Sequence, residues 1–363
     1  MNESTMTEPL LSVAVITYNH AKWIQQCFDG IGLQQVTFPF EVCIGDDGSS
    51  DGTTEICADF AARSHRGFTV VHQVRDRKDP SRKSYDAVFM PNAVATLRSC
   101  HGRYVAIVEG DDFWTNPAKL QSQIQFLEEH SDYSMVIHNA TISCHPPQAN
   151  LPHWIDTRQR PEFLQDRDFG PLNWPTVLFP SGSVVVRREV VDLLINSQLA
   201  FGPAWDSTML FLAGTRGKIR FLADPMGCYR IHAGACWNGP LSGDRYEVML
   251  KFSSRLLKYG VDINQDVQAW LQTLFDYNYL CVANQAESDA AFRQRMKQLF
   301  PEGTEAYHRS PWLTSTATES ILSHVEENRK LRQSRSFRLG RTIVDTLRSP
   351  LQAVNWLRGI PRF

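Results

Sequence analysis

Apolar and polar positions fall into alternating blocks over the first third of the chain. Residues 11–16 (LSVAVI) form a short apolar run rich in β-branched side chains, the pattern of a parallel strand buried on both faces. TYNH breaks it, and from Lys22 onward Trp23, Ile24, Cys27, Phe28 and Ile31 recur at helical spacing. Phe40–Ile44 predicts a second strand running into GDDGSSDGT, residues 53–63 a second helix, and Phe68–His72 a third strand. Strand–helix–strand–helix–strand order predicts a parallel α/β sheet.

Further along, the polar stretch Arg75–Arg82 predicts a loop, and residues 91–99 a helix with Pro91 at its first position. Tyr104–Val108 predicts a fourth strand, ending in EGDDFW; Asn116 and Pro117 start a helix with Leu120, Ile124 and Leu127 on one face. Ser134–His138 reads as a strand, and the proline-rich stretch 145–180 as a long irregular region. Val184–Val186 predicts a strand, Arg188–Leu194 and Asp206–Leu212 helices, and Lys218–Leu222 and Gly227–Ile231 two further strands. From Tyr246 to about Leu299 the pattern is helical. These shifts divide the chain into an α/β domain over 1–238, a helical region over 239–328 and a tail over 329–363.

With 363 residues, about two domains fit, and no disulfide scaffold is needed to hold a core. Charge changes the picture more than composition does. The formal net charge is −2, yet from Arg329 onward nine basic residues face a single acid, Asp345. The tail is therefore +8 and the rest of the chain −10. An acidic body disfavours a nucleic-acid partner. In the tail, Phe337, Ile343, Val344, Leu347, Leu351 and Val354 recur at three- and four-residue spacings among the arginines. That pattern fits an amphipathic helix on an anionic membrane, or one packed on the body or a partner subunit; the one-signed charge and Trp356 favour the membrane. The eight cysteines include no CxxC pair and read as buried thiols in a reducing compartment. No apolar stretch is long enough to span a bilayer, and the N-terminus carries acids where a signal peptide carries Lys or Arg, so the expected location is cytoplasmic, peripheral on the inner face of the membrane.

Candidate chemistry concentrates in two acidic loops, each following a predicted strand: Asp46, Asp47 and Asp51 in the first, Glu109, Asp111 and Asp112 in the second. In open parallel sheets, ligands bind beyond the carboxyl ends of the strands. Clustered carboxylates repel one another and call for a cation or ligand donors; hard oxygen ligands suit Mg²⁺ or Mn²⁺. DDGSSDGT also reads as a plain turn with a helix cap, and EGDDFW as a solvated acidic turn. An EF-hand starting at Asp47 fails, because its twelfth position is Ala58; GxxxxGK[ST] and GxGxxG loops are absent.

VAVITYNH, IGDDGSSDGT and YVAIVEGDDFWTNPAKLQSQIQFL together resemble the inverting family 2 glycosyltransferases of the GT-A fold, and AWDSTMLFLAGTRGKIRF and MGCYRIHAGACW resemble that family's acceptor-side acid and closing segment. The resemblance covers about residues 10–238. It implies a GT-A nucleotide-diphospho-sugar transferase fold, a mixed, mostly parallel sheet flanked by helices. It implies that Thr17, Tyr18, Asn19 and Asp47 meet the nucleotide base and that Asp111 lies by the ribose or metal. Asp112 would hold the divalent cation. Asp206, preceded by Trp205 where many members have Gly or Glu, would be the base that deprotonates the acceptor hydroxyl. Glu109 stands where many members have Asp. His232 is implied as a metal ligand, a diphosphate donor or a structural residue closing the site. Arg230 reads as an offset to phosphate charge or as a surface ion pair, and the basic segment Arg75–Ser84 as a loop over the site or a solvated one. The implied partners are a nucleotide-sugar donor, UDP-linked, and a glycan or lipid-linked acceptor. A nucleotidyltransferase would want a basic Gly-rich phosphate loop that TYNHAKW does not provide, and a non-catalytic binding protein would have no need of all four aspartates.

Overall fold

Strand β1 (Leu11–Thr17) is buried at every position and lies in the interior of the sheet. In the computed structural model, residues 8–63, 65, 68–75, 85–145, 165–169, 179–197, 205–232 and 245–258 are described, with single positions at 271, 278, 282, 294 and 298. They belong to two units, Met1–Ser242 and Gly243–Phe363. The basic loop beyond Arg75, most of 145–180 and the tail from Arg329 lie outside the described residues.

In the first unit β1 is followed by α1 (Ile24–Gly32), β2 (Phe40–Asp46), α2 (Thr53–Ala62), β3 (Phe68–Val74) and α3 (Tyr85–Arg98). Then come β4 (Tyr104–Glu109), β5 (Phe113–Trp114), α4 (Lys119–Glu129), β6 (Tyr133–His145) and β7 (Arg167–Phe169). A 3₁₀ turn at Ser181–Ser183 leads into β8 (Val185–Arg187), α5 (Arg188–Asn196), α6 (Trp205–Arg216) and β9 (Lys218–His232). The sheet order is β3-β2-β1-β4-β8-β6-β9-β5, with β7 also beside β9. Strands β3, β2, β1 and β4 are mutually parallel; β8 runs antiparallel to β4 and β6, and β9 runs parallel to β6.

The core follows the apolar pattern. Val13 and Val15 of β1, Val42 of β2 and Ala106 and Val108 of β4 are fully enclosed, and Ile24, Cys27, Phe28 and Ile31 turn one face of α1 inward. Each buried Val, Ile or Phe side chain contributes about 1.5–3 kcal/mol. Phe28 stacks on Phe60 of α2 with ring centroids 4.0 Å apart. Helix α1 lies against β5 so closely that a Cβ on Gly30 would sit 2.7 Å from the Trp114 carbonyl oxygen. The cysteines at 27, 43, 57, 100 and 228 are buried thiols.

Four elements differ from the sequence expectation. Helix α3 begins at Tyr85 and holds Pro91 in its interior, so Pro91 does not open it. Helix α4 begins at Lys119, after a turn in which Asn116 Oδ1 accepts the Ala118 amide at 2.9 Å. Strand β9 is continuous where two strands were expected; its break shows only as register shifts against β6 around Asn139, where Pro225 lacks an N–H to give. The short β7, paired to β9, sits in the stretch read as irregular.

In the second unit α7 (Arg245–Lys258) buries Leu250, Phe252 and Leu256. Positions 271, 278, 282, 294 and 298 are helical. Among the described residues no helix is long and apolar enough to cross a membrane.

Candidate functional site

The carboxyl ends of β1, β2 and β4 are level: Thr17 pairs with Asp46, and Ile16 with Glu109. Sheet order reverses at β1, whose neighbours β2 and β4 send their loops to the same edge. This is a topological switch point, where open α/β sheets leave a crevice.

Hydrogen bonds stitch the loops together. The Asp47 amide donates to Thr17 O (3.0 Å), and the Gly110 amide to Ile16 O (2.9 Å). Asn19, with φ of 54°, gives its amide to Ser49 Oγ (2.9 Å) and takes the Ser50 amide on its side-chain oxygen (2.9 Å). Asp46 accepts from the amide and hydroxyl of Ser49 and from the Thr54 hydroxyl. Asp51 accepts from the Thr53 amide and hydroxyl and from the Ala21 amide. The turn-and-cap reading therefore describes Asp46 and Asp51, which brace the loop. Asp47 is buried at the same edge and Tyr18 half-buried beside it in sequence.

The β4 loop holds the densest chemistry. Asp111 Oδ2 accepts from His232 Nε2 at 2.9 Å and lies 3.7 Å from His20 Nε2. Burial works to raise the Asp111 carboxyl, but the two imidazoles outweigh it and hold the group below its ordinary value. Asp112 Oδ1 accepts the Arg230 amide at 2.7 Å. Burial, followed by the charges of Asp111 and Glu109, pushes Asp112 well up. Glu109 is raised to about 8 by burial first, then by Asp111 and Asp206, against a hydrogen bond with Ser181. Asp206 stands in the first turn of α6, its Oδ1 accepting the Ser207 amide at 2.7 Å; burial lifts its carboxyl to about 6. Asp206 of α6 and the acids of the β4 loop thus share one electrostatic environment, with Glu109 feeling both.

Arg230 is buried, which removes the surface-ion-pair reading. Its guanidinium lies over the Trp23 ring (4.4 Å) and the Phe113 ring (4.9 Å), and it donates to the Asp111 carbonyl and to Gln26 Oε1. His232 tilts against Trp23 with centroids 5.6 Å apart. Gly110 makes the turn possible: a Cβ there would fall 2.6 Å from Thr17 Oγ1 and 2.9 Å from His20 Nδ1. Sequence reasoning gave no role to His20, Gln26 or Ser181. His20 lay inside the quoted TYNH motif, but nothing in its spacing announced a partner at position 111.

The fit to a divalent cation can be tested on these atoms. Asp111 Oδ1 is buried and, among the described residues, has no hydrogen-bond partner. Three carboxyl groups crowd the loop, and two of them, Glu109 and Asp112, are pushed upward by burial first and then by the charges of their neighbours. A hard dication would relieve both conditions. Among the described residues no group of three or more His, Cys, Asp or Glu side chains is arranged to hold a metal by itself. The fit is therefore to a cation that takes part of its coordination from a bound ligand.

A Mycobacterium tuberculosis relative, "Uncharacterized protein Rv1520", is 28% identical over 247 residues, covering 65% of this chain and 62% of its own length, so the match spans less than two thirds of that relative. The Bacillus subtilis "Putative teichuronic acid biosynthesis glycosyltransferase TuaG" is 29% identical over 127 residues, 35% of this chain and 45% of its own. Among solved structures, S. aureus TarS 1-349 in complex with UDP-GlcNAc superposes with a TM-score of 0.57 at 18% identity, covering 90% of this chain and 93% of that one; the likeness is one of fold, GT-A. Residues 12–194, just over half of the 363, match the profile "Glycosyl transferase family 2", and the chain belongs to that family.

Proposed function

We propose that the chain is an inverting, metal-dependent glycosyltransferase. It moves a sugar from a nucleoside-diphosphate donor, UDP-linked, to a hydroxyl of a glycan or lipid-linked acceptor in surface polysaccharide synthesis. The observation that carries the reading is the convergence of carboxyl groups from β2, β4 and α6 at one edge of a family 2 fold, with Asp206 separate in sequence from the nucleotide-side acids. The UDP-GlcNAc complex of TarS and the teichuronic acid biosynthesis for which TuaG is named support the donor and pathway class.

In this reading Thr17, Tyr18, Asn19 and Asp47 bind the nucleoside. Asp111 and Asp112 would hold Mg²⁺ or Mn²⁺, with His232 fixing Asp111. Bound there, the cation supplies Lewis-acid stabilisation of charge on the diphosphate. Asp206 accepts the acceptor's hydroxyl proton as that oxygen bonds to the anomeric carbon and the carbon–phosphate oxygen bond breaks, its electron pair leaving with the nucleoside diphosphate. Inversion follows from a single displacement, and no covalent enzyme nucleophile is needed. The bond from Trp114 Nε1 to Gly182 O (2.7 Å) ties the Ser181–Ser183 turn to β5 beside these acids.

The domain reading 1–238, 239–328 and 329–363 goes with this proposal, as does a cytoplasmic location with the +8 tail on an anionic membrane. Sedimentation of the full chain with anionic vesicles, weakening with salt, checks the latter. The test of the activity is a panel of nucleotide sugars scored for release of nucleoside diphosphate. Divalent-dependent release from one donor, increased by a hydroxyl acceptor, is the expected result; release from none overturns the reading.

A further inference from the structure

His20 joins three loops of the site through three different groups. Its amide donates to Thr53 Oγ1 (2.8 Å) at the start of α2. Its carbonyl accepts the amides of Trp23 (2.7 Å) and Ile24 (2.8 Å), which starts α1. Its ring pairs Nδ1 with Thr17 Oγ1 (3.2 Å) and brings Nε2 to 3.7 Å from Asp111 Oδ2. The backbone bonds anchor the residue whatever its side chain, so the ring is free to serve another purpose. Opposite it, His232 Nε2 stands 2.9 Å from the same carboxylate oxygen, with the two rings edge to face at 6.4 Å. Two imidazoles from distant parts of the chain therefore face one oxygen of Asp111, His232 at hydrogen-bond distance and His20 just beyond it, while the other oxygen, Oδ1, is buried without a partner among the described residues. Gly110, next to Asp111, is the residue that leaves room for the His20 ring.

We propose that His20 is a positioning residue acting through Asp111: its ring, with that of His232, fixes one carboxylate oxygen so that Oδ1 is presented to the metal-bound donor. The inference rests on the proposed function for the identity of that ligand. The physical logic is general. A carboxylate has two low-barrier torsional choices at its end, and partners on one oxygen determine where the other points; outer partners of metal ligands commonly matter by 10–100-fold in metal affinity.

The experiment measures Mn²⁺ binding to the full-length protein in the presence of UDP, by electron paramagnetic resonance of free Mn²⁺, with thermal melting to confirm folding. The variants are His20→Ala, His20→Gln, Asp111→Asn and His20→Ala with Asp111→Asn. His20→Ala should weaken Mn²⁺ binding by about 10-fold or more, and His20→Gln, whose amide can reach toward Asp111, should recover much of the loss. In the Asp111→Asn background, His20→Ala should add less than about threefold, because the two residues act as one unit. Unchanged Mn²⁺ affinity in folded His20→Ala overturns the proposal. So does an equal loss in both backgrounds, which would make His20 a general brace of the loops. Should His20→Ala not fold, His20→Leu takes its place: a loss of about 10-fold or more that His20→Gln largely recovers supports the proposal, and unchanged affinity in folded His20→Leu overturns it. Absence of Mn²⁺ binding by the unmodified protein with UDP is read before any variant and overturns the metal reading itself, and this inference with it.

Discussion

Asp112 and Arg230, 118 positions apart in sequence, are joined by a 2.7 Å hydrogen bond from the Arg230 amide to Asp112 Oδ1. The same arginine returns its guanidinium to the carbonyl of Asp111 and is sandwiched between Trp23 and Phe113. Strand β9 thereby clamps the acidic loop, with charge buried against aromatic faces.

That clamp predicts an asymmetric mutational result. Arg230→Lys keeps the charge but loses the planar fork and its stacking. It should lower stability by about 1–3 kcal/mol and turnover by about tenfold or more, because the Asp111 carbonyl and Gln26 lose a donor while the backbone bond to Asp112 remains. Urea unfolding together with steady-state kinetics checks both. A lysine variant with normal turnover would mean the loop holds its shape without the guanidinium.

A second prediction concerns pH. The Asp206 carboxyl is lifted to about 6 by burial. A general base must be deprotonated, so kcat/KM should fall as pH drops through about 6, well above the ordinary aspartate range. Asp206→Asn should reduce kcat by about 10²- to 10⁴-fold and leave donor binding intact. A pH–rate profile flat down to pH 5 would contradict the assignment.

A third prediction lies away from the acids. Lys119 is fully buried, and its Nζ has no hydrogen-bond partner among the described residues, lying 4.1 Å from the Trp114 ring centroid. Burial pushes its amine well below 10.5. Lys119→Met keeps the length and removes the desolvated group, so it should stabilise the fold by about 1–2 kcal/mol. Because the folded value lies below the unfolded one, the lysine's penalty is full in acid and fades as pH rises toward 10.5. The melting-temperature gap between variant and parent should narrow in the same direction. A less stable Met variant would show that the amine is satisfied.

The sequence patterns show why some features were legible and others were not. β1, β2 and β4 are read correctly because strands buried on both faces are continuous apolar runs, and the acidic loops stand out at their ends. Pro91 misled the start of α3 because a proline reads as a first-turn residue, while tertiary packing carries the helix past it. Strand β7 has three residues and exists through its pairing with β9, which no local pattern encodes. His20, Gln26 and Arg230 acquire their places only from contacts between segments far apart in the chain. The division of the first acidic loop, with Asp46 and Asp51 as braces, depends on which hydroxyls the fold brings within reach.

The central claim is a metal-assisted sugar transfer at the β4 acids. It is tested most directly by nucleoside diphosphate release from the preferred nucleotide sugar, for the unmodified chain and Asp112→Ala, with and without exhaustive chelation. The account predicts that chelation abolishes transfer, that Mg²⁺ or Mn²⁺ restores it, and that Asp112→Ala lowers it by about a hundredfold or more. Full transfer after chelation, or normal transfer by Asp112→Ala, would contradict it.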